Sequence, residues 1–290
     1  MENNNNDDRD ESRETSATSF NQPIKPAPRP PQIGDMAHPF SQLAPDTYVT
    51  YALLTIIGVI FLVQYGQLTG NFPAFDVVWR SCYNGSKIVH DWAGCGPAMV
   101  EGGELWRLFT LMFLHGNPTH IAFNAIALYS LGMDMERIYG RYRFLFIYIF
   151  GGLFGSLLSF AIRGPNEFTV GASGAIFALA GMNLAFFYIY KDKLGDMGQQ
   201  RFQSMLRLVG INLVIGFLLI RVNNLGHLGG LMGGVLLGYI FAPWYTVTET
   251  IPDLHVSDQN SLANKMGQAT AIVVLTISAS IAIWSYWRFL

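Results

Sequence analysis

Of the 290 residues, 51% are hydrophobic, 14% aromatic and only 13% charged, against roughly 25% charged in an average soluble domain, which excludes ordinary water-soluble packing. A formal net charge of -2 carries no nucleic-acid signature, and 30 glycines in so apolar a chain suit membrane helices that approach closely. Two cysteines, Cys82 and Cys95, exclude a Cys-rich zinc cluster and leave a disulfide optional.

Residues 1–46 hold eight of the 20 acidic residues, seven of the 13 prolines and a run of four Asn from Asn3 to Asn6. This composition predicts a disordered tail. It lacks the basic start, apolar centre and small-residue cleavage site of a secretory signal, so the first hydrophobic segment is expected to anchor the chain.

That segment, 47–65, is long enough to cross a hydrocarbon core of roughly 30 Å. The connection 66–105 mixes Phe72, Phe75, Trp79, Trp92 and Met99 with polar residues and glycine, a composition suited to the membrane interface. A structureless link of about 40 residues is unusual; the segment is expected to be partly helical and dipped into the outer leaflet. A second span begins near Pro118, with Asn117 as N-cap and proline at the first helical position, and ends near Met135. Further spans are predicted over 143–162, 171–190, 205–220, 225–245 and 266–286, making seven in all. The fold class is all-α, a polytopic membrane helical bundle, with a core over 47–245 and a linker and last span over 246–290.

Lys and Arg accumulate on the cytoplasmic side of short loops. Arg137, Arg141, Arg143, Lys191, Lys193, Arg201 and Arg207 flank alternate loops, against Arg163 and Arg221 on the other side. This predicts a cytoplasmic N-terminus and places the starts of spans two, four and six on the outer side. The loop from Pro243 to Lys265, with Glu249, Asp253 and Asp258 against Lys265, does not itself support that orientation.

Those same three spans carry polar groups near their outer ends, where polar side chains are expensive and usually functional. His120 and Asn124 share one face of span two, Ser173 opens span four in the run Gly171 to Ala175, and His227 opens span six. A serine hydroxyl needs a base to become a nucleophile, and His227 is the available one. Spans four, five and six contain no Asp or Glu to orient the imidazole; Phe177, one turn after Ser173, could hold it by stacking. His120, Asn124 and the Ser173 N–H could then donate to a developing oxyanion.

Taken singly, such a serine is usually a helix-packing residue, and a lone membrane His or Asn usually makes a structural hydrogen bond. Their coincidence in depth on three alternate spans favours the site. The glycines 226, 230, 234 and 238 recur every four residues around His227 and read as close-packing surface against span four. The run G-A-S-G-A lacks the second glycine of a G-x-S-x-G elbow. His115, His120 and His227 do not have H-E-x-x-H spacing, so neither a metal nor any other cofactor is expected.

In order along the chain, Trp106-Arg107, His115-x4-His120-x3-Asn124, Gly171-Ala172-Ser173-Gly174 and His227-Leu228-Gly229-Gly230 with Gly234 resemble the rhomboid family of intramembrane serine proteases, in its six-plus-one transmembrane form. Gly226 stands where the family often has alanine. The resemblance implies Ser173 as nucleophile, His227 as general base, and His120 and Asn124 at the oxyanion. It gives Trp106 and Arg107 to the first outer loop, with Glu104 as a partner for Arg107, and His115 a structural role. It also implies single-span membrane proteins as substrates, cut near the outer face at a small residue in a helix that unwinds easily, with membrane lipids as the other partners.

An inactive rhomboid-like protein that binds transmembrane helices is the alternative, although such relatives typically lack the serine or the histidine. A transporter is a third reading, with no inverted repeat to support it. A bacterial plasma membrane is the default location and an organelle membrane the other option. The oligomeric state, the physiological substrate and the Cys82–Cys95 pairing stay open.

Overall fold

The computed structural model describes residues 47–67, 86–218, 222–250 and 253–290, all within one unit of the chain, Phe40–Leu290. The acidic tail, the interfacial residues Phe72, Phe75 and Trp79, Cys82, the end of the fifth predicted span and Arg221 lie outside the described residues. Cys95 is disulfide-bonded.

The elements run α1 (Tyr48–Gly66), α2 (Lys87–Trp92), β1 (Gly94–Cys95), α3 (Gly96–Gly102), α4 (Arg107–Thr110), α5 (Pro118–Tyr139) and α6 (Arg141–Arg163). Then follow β2 (Phe168–Thr169), α7 (Ser173–Tyr190), α8 (Gly195–Leu218), α9 (Asn224–Ile240), a hairpin of β3 (Tyr245–Thr250) and β4 (Asp253–Asp258), and α10 (Met266–Phe289). Five of these helices, α1, α6, α7, α8 and α10, are long and apolar enough to cross a membrane. The other two predicted spans differ for physical reasons. α5 spends its hydropathy on His120, Asn124 and the charged turn Asp134, Glu136 and Arg137, while α9 is only 17 residues long.

α5 starts where its sequence says it should: Pro118 occupies the first turn and the Asn117 side chain accepts the His120 N–H at 2.8 Å. α9 stops five residues before the predicted end. Pro243 disfavours helical geometry at Ala242, and the β-favouring run Tyr245-Thr246-Val247-Thr248 pairs with β4 in register Tyr245↔Asp258, where a linker was expected. Arg143 of α6 holds this hairpin through an ion pair with Asp258 and a hydrogen bond to the Asn260 carbonyl. The Tyr245 hydroxyl donates to the Ile138 carbonyl at 2.6 Å.

α7 is apolar on all sides and accordingly enclosed, with α6 and α9 as its closest neighbours together with α8. The glycine stripe makes this possible. A Cβ on Gly230 would meet the Gly174 carbonyl, one on Gly234 the Ala178 carbonyl, and one on Gly155 of α6 the Gly226 carbonyl. The three helices therefore touch backbone to backbone, the approach that small residues permit.

α1 is fixed against α5 by a buried acid. Glu136 accepts the Val49 N–H at 2.9 Å and both the Thr50 N–H and hydroxyl at 2.7 Å. The first turn of a helix has free N–H groups and a dipole that favours negative charge there, so the carboxylate caps α1 from the neighbouring helix.

At the end of the bundle where α5, α7 and α9 begin, the loops are laced together. β1 pairs with β2 in register Gly94↔Thr169, and the Gly96 N–H donates to the Glu167 carbonyl at 2.7 Å. α10 ends there too: the Trp284 and Trp287 indoles donate to the carbonyls of Val100 and Ala161 at 3.1 and 3.3 Å. Trp287 also covers Gly164.

Candidate active site

Ser173 is the first residue of α7, two positions later than the predicted start. The delay has a cause in Gly171, whose φ of 129° is closed to other residues and whose N–H donates to the Leu111 carbonyl at 2.9 Å. The chain turns sharply here and delivers the serine to the helix N-terminus. In the first turn of α9, His227 Nε2 lies 2.9 Å from Ser173 Oγ. Phe177 stacks on the imidazole with ring centroids 4.3 Å apart and planes 13° apart. Among the described residues, His227 Nδ1 has no hydrogen-bond partner, so no carboxylate completes a triad.

His120 and Asn124 converge on Gly171. A Cβ at that glycine would lie 2.7 Å from His120 Cε1 and 3.7 Å from Asn124 Nδ2. The Gly116 N–H donates to His120 Nδ1 at 3.3 Å, which assigns the ring proton to Nε2, the nitrogen turned toward Gly171. Asn124 is 6% exposed, and its Nδ2 has no partner among the described residues. A buried amide donor normally finds an acceptor, which makes Asn124 a candidate donor to a bound group.

His115 packs edge-on against His120, ring centroids 5.2 Å apart. Its backbone N–H and carbonyl are read by the buried Gln64 of α1 at 3.0 and 2.9 Å. Burial, with the neighbouring His120 adding to it, pushes the His115 pKa down to about 3, so the ring stays neutral. Trp106 and Arg107 lie away from the dyad. Trp106 is 56% exposed, whereas Arg107 is buried, pairs with Glu104 at 2.6 Å and donates to the carbonyls of His90 and Ala93 at 2.7 and 3.1 Å. Arg107 thus ties the loop together through one carboxylate and two main-chain carbonyls, a job its planar guanidinium suits.

Three residues near the dyad have no place in the sequence reading: Ser159, Glu167 and Asn223. The tandem Asn223-Asn224 just before an apolar, glycine-spaced run is an N-cap signal, and Asn223 does cap α9, accepting the Gly226 N–H at 3.1 Å. Nothing in the local pattern around Glu167 marks it as buried.

A family model described as the Rhomboid domain matches residues 102–244. The chain is 30% identical over 202 residues to the putative rhomboid protease YdcA of Bacillus subtilis (strain 168), covering 69% of this chain and 90% of that protein. It is 39% identical over 137 residues to the rhomboid protease GluP of the same organism, covering 47% of this chain and 26% of that one. RHOMBOID-like protein 5 of Arabidopsis thaliana is 37% identical over 147 residues, with 49% and 46% covered. The chain thus spans most of the first relative and less than half of the other two. Helices of this length and apolarity define an integral, multi-pass membrane protein. The chain belongs to the rhomboid family, as its four motif segments suggest.

Proposed function

We propose that the protein is an intramembrane serine endopeptidase that cuts transmembrane segments of single-span membrane proteins by a Ser173/His227 dyad. The observation that carries this reading is the 2.9 Å approach of His227 Nε2 to Ser173 Oγ at the start of α7. Two relatives named as proteases support it at family level. The excess of basic residues in alternate loops supports a cytoplasmic N-terminus, with the site toward the outer leaflet.

In this mechanism His227 Nε2 takes the proton as Ser173 Oγ attacks the scissile carbonyl carbon. The carbonyl oxygen becomes an oxyanion and accepts from Asn124 Nδ2, His120 Nε2 and the Ser173 N–H, which as the first residue of α7 has no intrahelical acceptor. Collapse breaks the C–N bond, and His227 returns its proton to the leaving amine. A water then adds to the acyl-serine with His227 again as base, releasing the carboxylate and restoring the hydroxyl. The substrate helix must unwind locally, because within a helix the carbonyl is already hydrogen-bonded. With no carboxylate on Nδ1, the stacked Phe177 and the rigid start of α9 hold the ring.

Purified protein should cleave a transmembrane substrate and react with a fluorophosphonate probe. Ser173→Ala should abolish both, by at least about 10³-fold in rate, while keeping its fold. Retained cleavage overturns the reading, and absence of labelling in a folded wild-type protein favours a helix-binding role without catalysis.

A further inference from the structure

Glu167 is an acid in the connection between α6 and α7, only 2% exposed. Burial pushes its pKa up, and a buried carboxylate is costly unless its oxygens are used. They are. The Ser159 hydroxyl lies 2.9 Å from both oxygens and 3.0 Å from Asn223 Oδ1, its single proton shared among them, and Oε1 also accepts from Asn223 Nδ2 at 3.3 Å. Among the described residues, Arg163 pairs with it at 3.8 Å with its own side chain 40% exposed, so it offsets little of the cost.

Asn223 stands between this acid and the dyad. Its Nδ2 donates to Glu167 and to Thr169 Oγ1 at 3.0 Å, while its Oδ1 accepts the Gly226 N–H at 3.1 Å. Its main-chain carbonyl accepts the His227 N–H at 3.1 Å. The amide can satisfy both sides in one orientation only, since a flip would turn its NH2 toward the Gly226 N–H and its oxygen toward the carboxylate. Glu167 therefore selects the orientation that caps α9, one turn before the imidazole.

The backbone of Glu167 is equally constrained. Its N–H donates to the Gly164 carbonyl at 3.1 Å and its carbonyl accepts from Gly96, so the acid is fixed to the laced loops and the α9 cap is fixed to the acid.

We propose that Glu167 is a positioning residue for His227, acting through the Asn223 amide, in place of the carboxylate that a triad puts on the imidazole itself. The inference rests on the Ser173/His227 reading. A displacement of about 1 Å in a reacting group can lower a rate about 10²-fold, so a loosened cap is expected to appear in turnover.

The test uses the full chain in detergent and measures the rate of fluorophosphonate labelling, kcat and KM on a transmembrane substrate, and thermal stability. Glu167→Ala should lower labelling rate and kcat about 10- to 100-fold with KM unchanged. Glu167→Gln keeps an acceptor oxygen and should restore both to within about threefold of wild type. Asn223→Ser keeps a capping oxygen but lacks the amide donor, and should resemble Glu167→Ala. The double variant Glu167→Ala/Asn223→Ser should be no slower than the worse single, the non-additivity of groups acting in series. Wild-type labelling by a folded Glu167→Ala, or losses that multiply in the double variant, overturns the proposal. If Glu167→Ala does not fold, Asn223→Ser decides alone: normal labelling overturns the proposal and a slow, folded variant supports it. Wild-type protein whose labelling ignores Ser173→Ala and His227→Ala would instead overturn the dyad reading beneath it.

Discussion

Phe177 lies flat against His227, with ring planes 13° apart and centroids 4.3 Å apart. Because Phe177 is one helical turn beyond Ser173, the same helix supplies both the group that the imidazole serves and the surface that restrains it. Restraint by a ring face fixes the plane of the imidazole but lets it slide within that plane. The hydrogen bond to Ser173 Oγ and the anchored first turn of α9 remove that remaining freedom.

Replacing the ring by an aliphatic side chain keeps an apolar contact of somewhat smaller volume and loses the stacking. Phe177→Leu is expected to lower kcat about 3- to 10-fold, matching the roughly 0.5–1.5 kcal/mol of an aromatic pair. Stopped-time cleavage assays at saturating substrate read this directly, and an unchanged kcat would show that the ring is only packing.

Asn124 offers a different signature. Its Nδ2 has no acceptor among the described residues, so Asn124→Ala should leave thermal stability nearly unchanged while reducing kcat about 10²- to 10³-fold, the usual loss for one oxyanion donor. A drop in melting temperature with intact turnover would assign the amide to structure instead.

Gly171 is constrained twice, by its φ of 129° and by the His120 ring where a Cβ would sit. Gly171→Ala is therefore expected to displace His120 or the Ser173 turn and lower the fluorophosphonate labelling rate by about 10²-fold or more. The labelling rate of the solubilised variant, normalised to folded protein, provides the check.

Far from the site, Glu136 caps α1 with three hydrogen bonds. Glu136→Ala strands the Thr50 N–H and hydroxyl and should destabilise the α1–α5 contact by about 1–3 kcal/mol. Thermal unfolding in detergent should reveal the loss, with kcat of the surviving folded fraction close to wild type.

Much of the site was legible because a polar residue in an apolar span stands out and because alternate spans begin on one side. His120, Asn124, Ser173 and His227 could thus be brought to one depth from helix parity alone, and the Asn117-Pro118 pair marked the start of α5. Glu167 was invisible for the opposite reason: it lies in a polar connection where an acid is unremarkable, and it is buried by residues distant in sequence, Asn223 and the β1 segment that pairs beside it. Glu136 was equally hidden, since a charge near a helix end looks solvated until the N-terminus of α1 is found beside it. The hairpin after α9 escaped because its strands are six residues each and the residues that anchor it, Arg143 and Ile138, are distant in sequence.

The return of α10 to the dyad end of the bundle makes the chain its own topological reporter. Trp284 and Arg288 bond to α3 and Trp287 to the last turn of α6, while Phe289 is 87% exposed. A thiol placed there by Phe289→Cys is expected to share a compartment with Ser173 without touching it. Its reaction with a membrane-impermeant maleimide, in intact cells against opened ones, would tell which aqueous phase supplies the water for hydrolysis.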